Sequence, residues 1–419
     1  MLKQAALAGA ALALLSACGA GEPESSTPDA AVPAPQIVLS ASDTLYEDLQ
    51  GALIEAKEGQ TIIMPEGTFQ FTDGLSLDVA SVHLKGAGQG KTVLNFAGQT
   101  GSGEGLLVTS DNVILSDFTM QDTKGDGIKS KGADRITYRD LTVEWTGGPD
   151  ESNGAYGIYP VESEHVLVER TTIRAAADAG IYVGQSKNII VRDNVVEFNV
   201  AGIEIENSSF ADVYDNEAVN NTAAILVFDL PDLPVMGGHS TRVFNNVMKA
   251  NNTRNFAPEG NIVGEVPAGT GVIVMANRNV HVFDNTFEDH KSAHIIVSAY
   301  EGEWEDKSYN PLPREIVIHG NSYGKGGYAP DKFLAEIHSS LGGLDIPPIL
   351  WDGVTDFDGN AEDQPQALSI REPGDVGYMS IGIGKYPVDP ETMTPNALRP
   401  EPVDVDEPAA VILPHDASL

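Results

Sequence analysis

The chain of 419 residues has one cysteine, Cys18, so no disulfide can form within it. Basic residues are also scarce: 25 Lys and Arg stand against 61 Asp and Glu, a formal net charge of −36. That balance excludes nucleic acid as a partner, because its recognition needs a basic footprint. It suits a solvated surface, or one that recruits cations. No apolar run is long enough to remain as a membrane span, and the middle of the chain lacks helix-length periodicity. Hydrophobic residues still make up 41% of the chain, enough to bury a sizeable core, so wholesale disorder is excluded. A length of 419 ordinarily means two or three domains, unless the fold is an elongated repeat.

The first residues supply an address. Lys3 is a positive start, Ala5 to Leu15 are apolar, and Leu15-Ser16-Ala17-Cys18 reads as a bacterial lipobox, cut before Cys18 with lipidation of its thiol. The next residue is Gly19 rather than Asp, which predicts the outer membrane, with contact to the bilayer through the lipid alone. Residues 19–36 are rich in Pro, Ala, Ser and acid and read as a flexible tether. The expected organisation is a signal peptide and lipobox over 1–18, a linker over 19–36, a repeat domain over 37–325, a C-terminal capping region over 326–385, and a Pro- and acid-rich tail over 386–419.

The repeat sets the fold. Leu106, Ile128, Ile158, Ile181, Ile203, Ile225, Val272 and Ile295 form a column at separations of 22, 30, 23, 22, 22, 47 and 23 residues. Asn194, Asn216, Asn246 and Asn285 form a second column, at 22, 30 and 39. With 22 as the basic coil, the excesses in the second column account for the 47-residue gap in the first. Two insertions are therefore expected, near Asp229–Gly238 and Thr253–Gly269. Each coil, such as GIYVGQSKNIIVRDNVVEFNVA, holds three short runs rich in Val and Ile. Three strands per coil, stacked in register, predict an all-β, single-stranded, right-handed parallel β-helix (a solenoid) of about ten coils spaced about 4.8 Å apart. Asn at a fixed turn tolerates a left-handed backbone and can ladder along the stack. Asp43–Ala56, with Leu45, Leu49 and Leu53 at helical spacing, predicts an N-terminal helical cap. Asp331–Leu341 and PPILWDG are expected to cover the other end.

The GI-x-V and D-N columns, with TIIMPEGTF, resemble the pectin-lyase-like superfamily over about residues 37–325. The stretch from GAYGIYPV to ILVFDLPDLP resembles a bacterial family of β-helix-repeat lipoproteins. The superfamily resemblance implies a substrate on the outer face of the GI-x-V sheet. Its known catalytic signatures are missing: no Asp-Pro-His-Asp occurs within the coils, and Gly-His-Gly, Arg-Ile-Lys and Trp-Ile-Asp-His are absent. The one Pro-His-Asp, Pro414–Asp416, lies in the tail.

Strand alternation points the isoleucine column inward and sends Lys129, Tyr159, Tyr182, Glu204 and Leu226 outward. A second outward row reads Lys131, Val161, Gly184, Glu206 and Phe228. Such a face suits a polysaccharide or envelope glycan: tyrosines stack on sugars, while Lys and Glu bind hydroxyls or carboxylates. Lys129, Tyr159, Tyr182 and Glu204 are the candidate catalytic residues, for lyase- or epimerase-type proton abstraction. A tyrosine base there needs a lowered pKa, which a close Lys129 would supply. Lys131, Glu206 and Phe228 are candidate substrate contacts. The other reading is a non-catalytic module docking a protein or glycan, with Leu226, Phe228, Ile273 and Met275 as an apolar surface on the C-terminal coils. Asp289, His290 and His294 are candidate metal ligands. Asp356-Phe-Asp358-Gly-Asn360 resembles a calcium loop without the Gly spacing or distal Glu of an EF-hand. Glu204 and Glu206 are a further candidate for Ca²⁺.

Overall fold

The structure, a computed structural model, describes residues 35–101, 103–357, 367–389 and 391–414. The signal segment with Cys18, the linker to residue 34, Asp358 to Asn360, and His415-Asp416 lie outside the described residues. No helix of the described residues is long and apolar enough to cross a membrane.

The chain is a right-handed parallel β-helix preceded by a helix. Helix α1 (Leu45–Glu55) buries Leu45, Leu49, Ala52 and Leu53. The Ser42 and Thr44 hydroxyls donate to Asp48 in its first turn. The front sheet has eleven parallel strands in chain order: β1 (Leu75–Leu77), β2 (Leu106–Val108), β3 (Ile128–Lys131), β4 (Tyr156–Val161), β5 (Ala179–Gly184), β6 (Ala201–Glu206), β7 (Ala223–Phe228), β8 (Thr270–Met275), β9 (Ala293–Ser298), β10 (Ile349–Trp351) and β11 (Tyr378–Ser380). The remaining coil strands form a 20-stranded sheet. Its two side walls merge because Ile114–Gln121 and Ile136–Glu144 run through the corner between them.

Isoleucine stacks on isoleucine from coil to coil: Ile128 on Ile158, then Ile181, Ile203, Ile225, Val272, Ile295 and Ile349, all fully buried. β-branched side chains fit this pleated, fully covered position. The glycine before Ile128, Ile158, Ile181, Ile203 and Val272 keeps the corner tight. A Cβ on Gly157 would lie 2.6 Å from the Gly180 carbonyl oxygen, and one on Gly202 2.5 Å from that of Ala224.

The asparagine column is a buried amide ladder. Asn194 Nδ2 donates to Asn216 Oδ1, Asn216 to Asn246, Asn246 to Asn285 and Asn285 to Asn321, at 2.9–3.0 Å. Asn321 ends it on Glu372, at 2.9 Å. The left-handed residue is not the ladder asparagine but the one before it: Asp193, Asp215, Asn245 and Asp284 have φ of 54–56°. A second ladder, Asn199–Asn221–Asn251, runs five residues on and ends at His290.

The segment expected to cap the far end does something else. Ile349–Trp351 and Tyr378–Ser380 continue the front sheet, and helix α2 (Phe333–Ser340) lies across its outer face, packing Leu334 with Ile296, Leu350 and Met379. The tail is not free either. Residues 403–413 run back over the outer row Ser369, Val317, His281, Arg242, Asp212, Ile190, Leu167. The Val403 carbonyl accepts from Arg371, Val411 N–H donates to Asp212, and Leu413 is buried on Leu167 and Ile190.

Candidate functional site

The register aligns the outward rows as the repeat implies. Lys129 pairs with Tyr159, Tyr182 with Glu204, Glu204 with Leu226, and Glu206 with Phe228. Lys129 Nζ lies 4.6 Å from the Tyr159 ring centroid, and the Tyr159 and Tyr182 rings are 4.9 Å apart. Lys131 is outside this group, exposed and paired with Glu162 at 3.5 Å.

The face is not an open groove. The insertion of residues 253–269 folds over it, with Phe256 and Val263 packed on Tyr182, Leu226 and Phe228. Asn255 ties this roof together by donating to the carbonyls of Val263 and Val266. Asn261 reaches Asp178 at 3.5 Å, and the Lys332 ammonium donates to the Gly264 carbonyl. Glu204 is 2% exposed and Glu206 8% exposed.

Three residues come to this site that alternation did not find: Asp126, Tyr156 and Asp178. They stand at the corner where the front strands begin, Tyr156 as the first residue of β4 and the two acids just before β3 and β5, where strict alternation fails. The Tyr156 ring is 4.6 Å from both Tyr159 and Tyr182. Its hydroxyl favours the Asp178 carboxylate, as that of Tyr182 favours Glu206. The signal was present in G-A-Y-G-I-Y and D-A-G-I-Y, in residues preceding the isoleucine column.

Electrostatics revise the chemistry. Burial, reinforced by neighbouring carboxylates, pushes the Tyr156 and Tyr182 hydroxyls far up and Tyr159 to about 12. Lys129 is held by Glu104 at 3.5 Å and Asp126 at 3.9 Å. The tyrosines are therefore neutral hydrogen-bond donors, and the lowered pKa that a tyrosine base requires is not found. The unusual groups are carboxyls. Burial raises Asp178 and Glu206 to about 7 and Asp126 to about 6; the Tyr156 and Tyr182 hydroxyls temper the first two. Glu204 is raised most, by burial and then by Asp178 and Glu206, and its Oε1 has no hydrogen-bond partner. A Ca²⁺ ion at Glu204 and Glu206 would have to displace the protons that burial favours on both.

These shifts fix a pH dependence. A carboxyl whose pKa is higher folded than unfolded binds more protons in the native state between the two values, so stability falls as pH rises through that window. Asp178, Glu206 and the buried Asp352, also raised to about 7, act together from about pH 4 to 7. The melting temperature is expected to be several degrees higher at pH 5 than at pH 8 by calorimetry. Equal values would mean that these groups are paired in a way the geometry does not contain.

The histidine pair is not a metal centre. Asn251 Nδ2 can only donate, so His290 Nε2 accepts at 3.0 Å. His290 Nδ1–H then donates to His294 Nδ1 at 2.9 Å, and His294 Nε2–H to the Gly324 carbonyl at 3.2 Å. Both lone pairs are used, and Asp289 accepts from Tyr328 instead. The pair closes the second asparagine ladder. A His/His/Glu set able to hold a divalent cation stands elsewhere: His281, His319 and Glu407 each place a ligand atom within 4.8 Å of the others.

Beyond Phe228 the face becomes apolar. Leu226, Ile273, Ile296 and Leu350 line a cleft of about 910 Å³, walled by Val263 and Val266 of the roof and by Phe333 and Ile337 of α2.

Residues 81–233 match the family model described as the right-handed β-helix region. No curated protein is similar to the chain at a significant level. Among solved structures, it is similar to a DFA-IIIase from Arthrobacter chlorophenolicus A6, with 13% identity, 79% of this chain and 94% of that chain covered, and a TM-score of 0.49. It is also similar to the A-module of mannuronan C-5 epimerase AlgE4 from Azotobacter vinelandii, with 15% identity, coverage of 78% and 88%, and a TM-score of 0.46. An alginate lyase from Paenibacillus sp. str. FPU-7 has 17% identity, coverage of 70% and 96%, and a TM-score of 0.44.

Proposed function

We propose that the chain cleaves or transfers glycosidic bonds of a polysaccharide or envelope glycan on its front face, using carboxyls as acid and base. The observation that carries this reading is the set of three buried carboxyls, Asp178, Glu204 and Glu206, around successive rungs of one sheet, interleaved with tyrosines. Their environments differ, which is how one site supplies an acid and a base at one pH. Glu204, with no hydrogen-bond donor to stabilise its charge, keeps its proton and protonates the leaving oxygen. Asp178 and Glu206, whose charge the Tyr156 and Tyr182 hydroxyls favour, are the groups that ionise, to activate water or attack the anomeric carbon. Tyr159 and Tyr156 offer ring faces to a sugar. A neutral glycan fits better than a uronate, because Lys129, the site's cation, is already held by two acids.

The test is reducing-end release across neutral and uronate glycans, with ultraviolet absorbance followed in parallel. Release from a neutral glycan, lost in Glu204→Gln, supports the reading. Unsaturated products from alginate, pectate or glycosaminoglycan would restore lyase chemistry. Silence across the panel would leave a binding module.

The apolar cleft favours a second reading, in which Leu226, Phe228, Ile273 and Met275 receive an apolar ligand or protein partner. Met275→Ser should then weaken binding of an apolar fluorescent probe while leaving sugar binding intact.

We also propose that the protein is exported and anchored at Cys18 in the bacterial outer membrane. Metabolic labelling with an alkyne fatty acid, lost in Cys18→Ala, is the check.

A further inference from the structure

The outer row of the side wall carries a feature that the glycan site does not use. His281 and Val317 are register partners on adjacent coils, and so are Phe283 and His319, so His281 and His319 are diagonal neighbours. The His319 ring is set by stacking at 5.0 Å on Phe283, the last step of a column that begins with Tyr214 and Phe244. His281 is 1% exposed. Its Nε2 is 3.0 Å from Asn279 Oδ1, which can only accept, so Nε2 carries the proton. Nδ1 is then a bare lone pair, buried and without a hydrogen-bond partner. An orphaned acceptor in a closed wall is costly unless something binds it.

Glu407 comes from far away in sequence, on the strap of residues 403–413. Arg242 holds one Glu407 oxygen at 3.0 Å, leaving the other for a second partner. The two nearby guanidiniums have acids of their own. Arg242 is gripped by both oxygens of Asp212, at 2.8 and 2.5 Å, and Arg371 lies 3.8 Å from Asp404. Their charge is thus matched before a cation arrives.

We propose that His281, His319 and Glu407 bind one divalent transition-metal ion of the Zn²⁺ class, and that this ion fastens the C-terminal strap to the coils. Two imidazoles and one carboxylate suit a borderline-soft ion that takes nitrogen ligands, with water completing the shell. They do not suit Ca²⁺, which takes six to eight oxygens. Without metal the strap is held by Val403 to Arg371 and Ser369, Asp404 to Arg371, Glu407 to Arg242, Val411 to Asp212, and Leu413 on Leu167 and Ile190. A metal at Glu407 would add, at the middle of the strap, a second bond beside that to Arg242.

The experiment is Zn²⁺ titration of the chelator-stripped full chain by calorimetry, with hydrogen exchange of residues 403–413 measured in Zn²⁺ and in EDTA. One equivalent should bind, and exchange of the strap should slow with metal. Glu407→Gln and His319→Ala, at positions that are not fully buried, should each weaken binding about tenfold or more with unchanged circular dichroism. Absence of saturable binding overturns the site, as does binding that neither variant changes. Stoichiometric binding with no change in strap exchange overturns the clasp.

Discussion

Glu204→Gln is expected to reduce glycan turnover by about a thousandfold and, in the same molecule, to raise thermal stability at pH 8. The first effect follows because glutamine has no proton to give a leaving oxygen at the position where the acid is held. The second follows from burial. At pH 8 the native fold either keeps a proton on Glu204 or shelters a charge among Asp178 and Glu206, and the unfolded chain is spared that cost. Glutamine has the same shape and no charge, so the penalty disappears. At pH 5 the parent is already protonated there and the two proteins should melt together. The pair of measurements is turnover and melting temperature at both pH values. A variant that melts lower than the parent at pH 8 would mean that Glu204 is stabilised as an anion, and the acid would have to be sought in Asp178 or Glu206.

Asn216→Ala should cost about 3–5 kcal/mol, because it strands several buried groups at once. Asn216 donates to Val191 O and Asn246 Oδ1 and accepts from the backbone and side chain of Asn194. Truncation leaves donors and acceptors facing each other across a gap too well enclosed for free access of water. The neighbouring exposed Glu217→Ala should stay within about 0.5 kcal/mol. Urea denaturation followed by circular dichroism distinguishes the two. Because stacked coils can unfold in sections, the Asn216 variant should also broaden the transition. Matching midpoints for both variants would show that the ladder contributes nothing beyond shape.

Repetition made the fold legible. A residue that must be inward, branched and fully enclosed recurs at a fixed spacing, so the isoleucine column marked every front strand from Leu106 to Ile295. The outward row from Lys129 to Phe228 followed by alternation. Alternation could not reach the corner, where Asp126, Tyr156 and Asp178 turn toward the same face. Nor could it show that residues 253–269 fold back as a roof, since an insertion has no periodicity to read. The second amide column, Asn199, Asn221 and Asn251, is equally periodic, but its next place is taken by His290, whose neighbours Asp289 and His294 read in sequence as a metal set. Glu407 was hidden for another reason: its partners lie more than eighty residues upstream, and a proline-rich acidic segment carries no mark of where it lies down.

The first amide column has a direction. Every NH₂ in it faces the C-terminal end, so the side-chain dipoles add like those of a helix and leave their positive pole at Asn321. Glu372 Oε1 sits at that pole and accepts the last amide N–H, and the side chain has no NH₂ to pass onward. Duplicating an interior coil would therefore add one asparagine to the relay at no loss, whereas the relay itself cannot be carried past Glu372. The amide relay thus carries its own stop signal, independent of the front sheet, which runs on through Tyr378–Ser380.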